Sequence, residues 1–156
     1  MRDVPFLQLR QYLLRPGRRE DLVALFDREL AAPQEAEGMY VVGRFRDLDR
    51  PDHFVRLRGF PDLATRANRL RAFYGGPVWR AHRDAADATM IDWDDVLLLG
   101  AVPGHALPWP PPAAPQAGPL TITVHDALSS GPALGRYETE PAPNAFPRCP
   151  GARVRT

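Results

Sequence analysis

The sequence contains no lysine: all 20 of its basic residues are arginine. Schiff-base and lysine-base chemistry is excluded outright, and high-GC coding is the plain explanation of the bias. The single Cys149 permits neither an internal disulfide nor a cysteine-rich zinc site. Serine is confined to the adjacent pair Ser129 and Ser130, with no Gly-x-Ser-x-Gly elbow to present a nucleophile. Phosphate-loop and dinucleotide fingerprints are missing, since Gly75-Gly76 and Gly100 lack the required spacing. No run of about eighteen apolar residues occurs, and Met1 to Pro5 lead into an alternating segment rather than a signal core. The expectation is a cytoplasmic protein without a membrane partner. Nor does one sign of charge dominate. With 19 acidic residues interspersed among the arginines the net charge is +1, so no extended field exists to steer nucleic acid, and any arginine function is local.

What is present is one core's worth of patterned chain. At 156 residues and 44% hydrophobic, the sequence fits one domain with an appendage. Phe6 to Leu14 alternates, with Leu7, Leu9 and Leu13 on one side and Gln8, Arg10 and Tyr12 on the other, as a half-buried strand does. After Pro16-Gly17, helical spacing of Leu22, Leu25, Phe26 and Leu30 predicts a helix from about Arg18 to about Ala32. Met39 to Asp47 and His53 to Phe60 read as a hairpin across the Asp49 to Asp52 turn. In its second strand Phe54, Arg56, Arg58 and Phe60 share one face and Val55 and Leu57 the other. Asp62 caps a second helix with a Leu63, Ala67, Leu70, Tyr74 stripe. Gly75-Gly76-Pro77 breaks that helix, a further helical piece runs from Val78 to Ala88, and Val96 to Val102 is a buried strand. Strand, helix, strand, strand, helix, strand is the split βαβ order: an α+β, ferredoxin-like sandwich.

A segment also recurs. Val42-Gly43-Arg44-Phe45, then Pro51, Phe54, Arg56 and Gly59, is echoed by Leu134-Gly135-Arg136-Tyr137, then Pro143, Phe146, Arg148 and Gly151, at one gapless offset of 92 residues. Between the copies, 7 of the 18 prolines fall in Val102 to Pro119, a stiff extended linker that also holds His105. Leu120 to His125 resembles a new first strand. The expected organisation is a domain over 1–102, a linker over 103–119 and an incomplete second copy, an arm, over 120–156.

Together, Leu9-Arg10-x-Tyr12-x-Leu14-x-Pro16-Gly17-Arg18, Pro33-Gln34-Glu35, Val42-Gly43-x-Phe45-Arg46-Asp47, Arg58-Gly59-Phe60-Pro61-Asp62, Phe73-Tyr74-Gly75-Gly76-Pro77-Val78-Trp79 and Ala88-Thr89-Met90-Ile91-Asp92 resemble the NIPSNAP family over about Phe6 to Ala101. Asn144-x-Phe146-Pro147-Arg148 resembles the motif of that family's second half-domain. The resemblance implies a ferredoxin-like fold pairing into a homodimeric α/β barrel that is related to the antibiotic-biosynthesis monooxygenases. By that analogy the chain encloses a small organic ligand and performs a cofactor-independent monooxygenation or isomerisation of an enolisable aromatic or polyketide-like compound. A non-catalytic scaffold or protein-interaction module is the alternative.

Two clusters carry the chemistry. If the leucine-bearing strand faces lie under the helices, Gln8, Arg10, Tyr12, Arg44, Arg46, Arg56 and Arg58 project from the opposite face, either into water or into a barrel lumen. In a lumen, Arg10, Arg44 and Arg58 are the candidates to hold a carboxylate, phosphate or enolate, with Tyr12 beside them. The second cluster is Tyr74, Trp79, His82 and Arg83. Its aromatics read either as core or as the walls of a pocket between helices and sheet, where His82 exchanges protons. His82-x-Asp84-x-x-Asp87 does not share a helical face, so no metal site is expected. Arg58-Gly59-Phe60 imitates the opening of an RNA-recognition motif, but Pro61-Asp62 ends the strand where stacking aromatics belong, and no nucleic-acid partner is expected.

Overall fold

The strand β2 (Phe6–Leu14) lies between two long partners and sets the register for the rest of the sheet. The computed structural model describes residues 1–111, 119–124 and 133–140. Ahead of β2 is the short β1 (Arg2–Val4). After it the chain is helical through α1 (Arg19–Leu25), a π-helical stretch (Phe26–Leu30) and α2 (Ala31–Ala36). The hairpin β3 (Tyr40–Arg46) and β4 (His53–Phe60) follows, then α3 (Leu63–Tyr74), α4 (Pro77–Asp87) and β5 (Met90–Ala101). Two short strands, β6 (Leu107–Trp109) and β7 (Tyr137–Thr139), come last.

The order β3-β4-β2-β5 is antiparallel throughout, with β7 added outside β5. This is the ferredoxin-like α+β sheet that the element order predicts. Local chemistry fixes its corners. Gly17 adopts φ +76 in the turn after β2, a conformation costly for any other residue, and its N–H donates to Asp52 at 3.0 Å. Asp62 caps α3 by accepting from the Thr65 N–H at 2.6 Å. Pro77 opens α4, where its missing N–H costs nothing.

The helices cover the opposite sheet face from the one expected. Tyr12, Leu14, Val41, Phe54 and Phe60 pack with Leu22, Phe26, Leu30, Leu70 and Phe73 from the helices, so the row bearing Gln8, Arg10, Arg56 and Arg58 lies beneath them. The leucine row faces away from the helices: Leu7, Leu9 and Leu57 are buried in a cluster with Val4, Leu107, Trp109 and Tyr137, and the half-buried Val42, Phe45, Val55, Leu97 and Leu99 pack around it. The physical reason is that the helices bring aromatic rings and a glutamine to their inner surface, which accept guanidinium groups through π faces and hydrogen bonds. The aliphatic row needs no such partners. A bulge in β3 between Val41 and Gly43 also turns Val41 to the helix side with Arg44, although an unbroken alternation would put Val41 on the side of Phe45.

Three element boundaries also differ from the sequence pattern. The first helix runs to Ala36 because the π-helical turn shifts the ladder, leaving Pro33 in the opening turn of α2 where it does no harm. Strand β5 begins at Met90, not Val96; its acidic first half is half-exposed and pairs with β2 through register shifts, which hides the alternation. Residues 120–124 form no strand: Leu120, Ile122 and Val124 are exposed. His125, Ser129, Ser130, Cys149 and the Asn144 to Arg148 motif lie outside the described residues.

The chain after β5 nonetheless meets the sheet. Leu107–Trp109 pairs with Arg2–Val4, and Trp109 stacks on Tyr40 with ring centres 5.6 Å apart. The hydroxyl of Tyr137 donates to the Val4 carbonyl at 2.8 Å and accepts from the Leu107 N–H at 3.0 Å.

Candidate functional site

Antiparallel register places three arginines side by side: Arg10 on β2 faces Arg56 on β4, which faces Arg44 on β3. Like charges opposed across a sheet are destabilising unless something answers them. Arg44 is answered by an ion pair with Asp27 of the π-helical stretch, at the partly exposed edge of the row. Among the described residues no acid answers Arg56 or Arg58. Arg56 is 5% exposed and Arg58 1% exposed, and their hydrogen-bond partners are glutamines and tyrosines.

Arg58 donates through Nε and Nη2 to Gln8 Oε1 at 3.1 and 2.9 Å, and through Nη1 to Gln34 Oε1 at 3.2 Å and the Tyr74 hydroxyl at 3.0 Å. Arg56 donates to Gln34 Oε1 and, at 3.4 Å, to the Tyr12 hydroxyl. Its guanidinium also lies 4.5 Å from the centre of the Phe26 ring, while its Nε is buried without a hydrogen-bond partner. Burial pushes the Arg58 guanidinium down to about 9, so it stays charged at neutral pH. For Tyr74, burial alone would raise the hydroxyl, but the positive charge of Arg58, reinforced by Arg10 and Arg56, outweighs it and brings the group down to about 7.

Beside these groups a cavity of about 260 Å³ opens between the sheet and the helices. Arg10, Arg56, Gln34 and Tyr12 form its polar floor; Phe26, Phe73, Tyr74, Trp79 and Trp93 form aromatic walls; Arg83 and Asp87 are also in its lining. Tyr74 meets Phe73 and Trp79 edge-on, each with ring centres 5.0 Å apart. Arg10 reaches the Trp93 carbonyl at 3.4 Å and lies over the Tyr12 ring. The volume is just below the roughly 300–1,000 Å³ of sites for drug-sized ligands. A one-ring or small two-ring compound fits, and a four-ring compound does not.

The two sequence clusters therefore meet in one place. Arg10, Tyr12, Tyr74 and Trp79 line the cavity together, and Arg58 supports Tyr74 from behind. Arg44 and His82 lie apart from that lining: Arg44 pairs with Asp27, and His82 Nε2 is 3.4 Å from Glu29. Two contributors escaped selection. Arg56 was grouped on the face but not chosen, and Gln34, 1% exposed, bridges both arginines. Gln34 stands in the Pro33-Gln34-Glu35 segment of the family resemblance, but its position one residue after a proline gives no sign that it turns inward. Among the described residues no cluster of three or more His, Cys, Asp or Glu is arranged for a metal ion, and no helix is long and apolar enough to cross a membrane.

The fold has solved counterparts. A NIPSNAP-like domain protein from Burkholderia xenovorans superposes with a TM-score of 0.61 at 24% identity, covering 74% of this chain and 100% of its own. A NIPSNAP family protein from Agrobacterium tumefaciens gives 0.59 at 18% identity, covering 67% and 91%. A putative antibiotic biosynthesis monooxygenase from Chloroflexus aurantiacus gives 0.52 at 15% identity, covering 64% and 95%. No curated protein matches the chain. Residues 7–102, the span from β2 through β5 that builds both sheet and cavity, match the NIPSNAP family, and the chain belongs to that family.

Proposed function

We propose that the cavity binds a small organic anion with an aromatic or conjugated body, and that the protein acts on it without a cofactor, as a monooxygenase or isomerase of an enolisable compound. One observation carries this reading: Arg56 and Arg58 are buried beside a cavity, and among the described residues no carboxylate pairs with either. Uncompensated buried charge is expensive, and a ligand oxyanion beside Arg10 and Arg56 recovers that cost. The same arrangement stabilises an enolate as it forms. Tyr12, Tyr74 and Trp79 grip the flat body of the ligand, and Arg58 fixes the Tyr74 hydroxyl. His82, held by Glu29 outside the cavity lining, has no direct role in this reading. The fold shared with the Chloroflexus aurantiacus protein supports the reaction class by analogy.

The assembly that goes with this reading is a homodimer. The half-buried Val42, Phe45, Val55, Leu97 and Leu99 form an apolar sheet surface that no helix among the described residues covers, and a second copy closes it into a barrel. The scaffold reading draws on a different observation, the exposed Leu120, Ile122, Val124 and Leu134 beyond the sheet, which suit a protein-docking arm.

The test is a titration of the purified protein with one-ring carboxylates, phenols and diketones, read by indole fluorescence and thermal shift. Saturable binding of anionic or enolisable compounds, absent for their neutral isosteres, is expected. Equal response to charged and neutral compounds, or none, leaves the scaffold reading ahead.

A further inference from the structure

Resting on the anion-binding reading, we infer that Tyr74 accepts the ligand's proton, so that the pocket takes a neutral enol or phenol and turns it into the anion inside. A cavity floored by guanidinium groups needs a negative charge whether or not a ligand is present. Tyr74 is placed to supply it in the empty protein: its hydroxyl receives the Arg58 Nη1 hydrogen bond at 3.0 Å and its ring lines the cavity.

The charged groups that the strands bring to Tyr74 are all positive. From β2 come Arg10 and the neutral Tyr12, and from β4 come Arg56 and Arg58. On α4, Arg83 and Asp87 face each other at 3.4 Å, and His82 is engaged by Glu29. The surrounding arginines favour the phenolate.

The exchange balances without a further reactant. The ligand's O–H bond, or the C–H bond next to its carbonyl, breaks; the proton passes to Tyr74 Oη; and the electron pair stays on the ligand as phenolate or enolate. Negative charge moves from Tyr74 to the ligand, and the total charge beside the arginines is unchanged. A carboxylate that arrives already charged behaves differently. It adds a negative charge, and Tyr74 restores the balance by taking a proton from the solvent.

Calorimetric titration in two buffers of different ionisation heat separates these cases. The probes are benzoate and 4-cyanophenol at about pH 7.5, above the Tyr74 value and low enough that most of the free phenol, although acidified by its nitrile, is still protonated. Benzoate is expected to draw between about half and one proton per site from the buffer. 4-Cyanophenol is expected to draw none, and to show the spectrum of its ionised form when bound. In Tyr74→Phe, benzoate uptake of a proton disappears, and 4-cyanophenol, ionised by the same arginines, releases its proton to the buffer. Because that variant can fail to fold, tyrosinate absorbance of the wild type supplies a second reading: one of the 4 tyrosines ionises near neutral pH, and Arg58→Gln moves it back toward the ordinary tyrosine range. Benzoate binding without proton uptake, unchanged uptake in Tyr74→Phe, or no tyrosine titrating near neutrality overturns the inference while leaving the anion site standing. If neither probe binds, both fall together.

Discussion

Arg58 holds the Tyr74 hydroxyl at 3.0 Å while its remaining donors go to the amide oxygens of Gln8 and Gln34, so a fully buried cation is met without a carboxylate. Replacing it with methionine has opposing effects. The penalty of burying a charge is removed, and the two amide oxygens lose donors at about 1–3 kcal/mol each. Arg58→Met is therefore expected to change unfolding free energy by less than about 2 kcal/mol, measured by denaturant titration. Affinity for an anionic ligand falls by roughly 2 kcal/mol, about thirtyfold, because a charge-assisted contact network is lost. Global unfolding of the variant would show that Arg58 is a structural keystone instead.

Tyr74 makes stability depend on pH in the alkaline direction. Its folded value, about 7, lies below the roughly 10 of an unfolded tyrosine. Above that unfolded value the stabilisation is fully present, and it is lost as pH falls through the folded value. Between about pH 7 and 10 the unfolded chain binds one more proton than the native one, so stability rises with pH by at most about 1.4 kcal/mol per unit. Burial of Arg58 acts in the same direction at higher pH, since its folded value is about 9 against an ordinary 12.5. Denaturant midpoints across this range test the slope, which flattens in Tyr74→Phe.

The sheet was legible because alternation in Phe6–Leu14 and His53–Phe60 is strict, and both strands appear at those limits. The covered face was not. Alternation separates two rows without saying which one the helices choose, and an arginine row under helices becomes plausible only when Phe26, Tyr74 and Gln34 are seen to receive it. Gln34 was hidden by Pro33, since nothing local announces a π-helical turn. The meeting of the two residue clusters depended on this same choice of face, which sequence spacing leaves open.

The Tyr137 hydroxyl bridges the Val4 carbonyl and the Leu107 N–H, tying β7 to both strands of the two-stranded ribbon. Burial raises the hydroxyl above the ordinary tyrosine value. Tyr137→Phe leaves two backbone groups without this partner and is expected to cost about 1–3 kcal/mol, measured by thermal or denaturant unfolding. A loss below about half a kcal/mol would mean that the chain beyond Val102 is an appendage the domain does not feel.

The uncovered sheet surface gives the last prediction. Val55 lies on β4 with its side chain in the apolar row, on the opposite face from Arg56. In a homodimer closed across that surface, Val55→Arg brings unpaired charge into an apolar interface, at a cost of several kcal/mol. Light scattering is expected to give twice the 17.4 kDa chain mass for the wild type and the chain mass itself for the variant. The cavity residues come from a single chain and lie on the other side of the sheet. The monomeric variant is therefore expected to keep its anion affinity within about threefold, under 1 kcal/mol. A wild type that is already monomeric removes the barrel. A variant that loses both the dimer and the ligand shows that the cavity takes its shape from the partner.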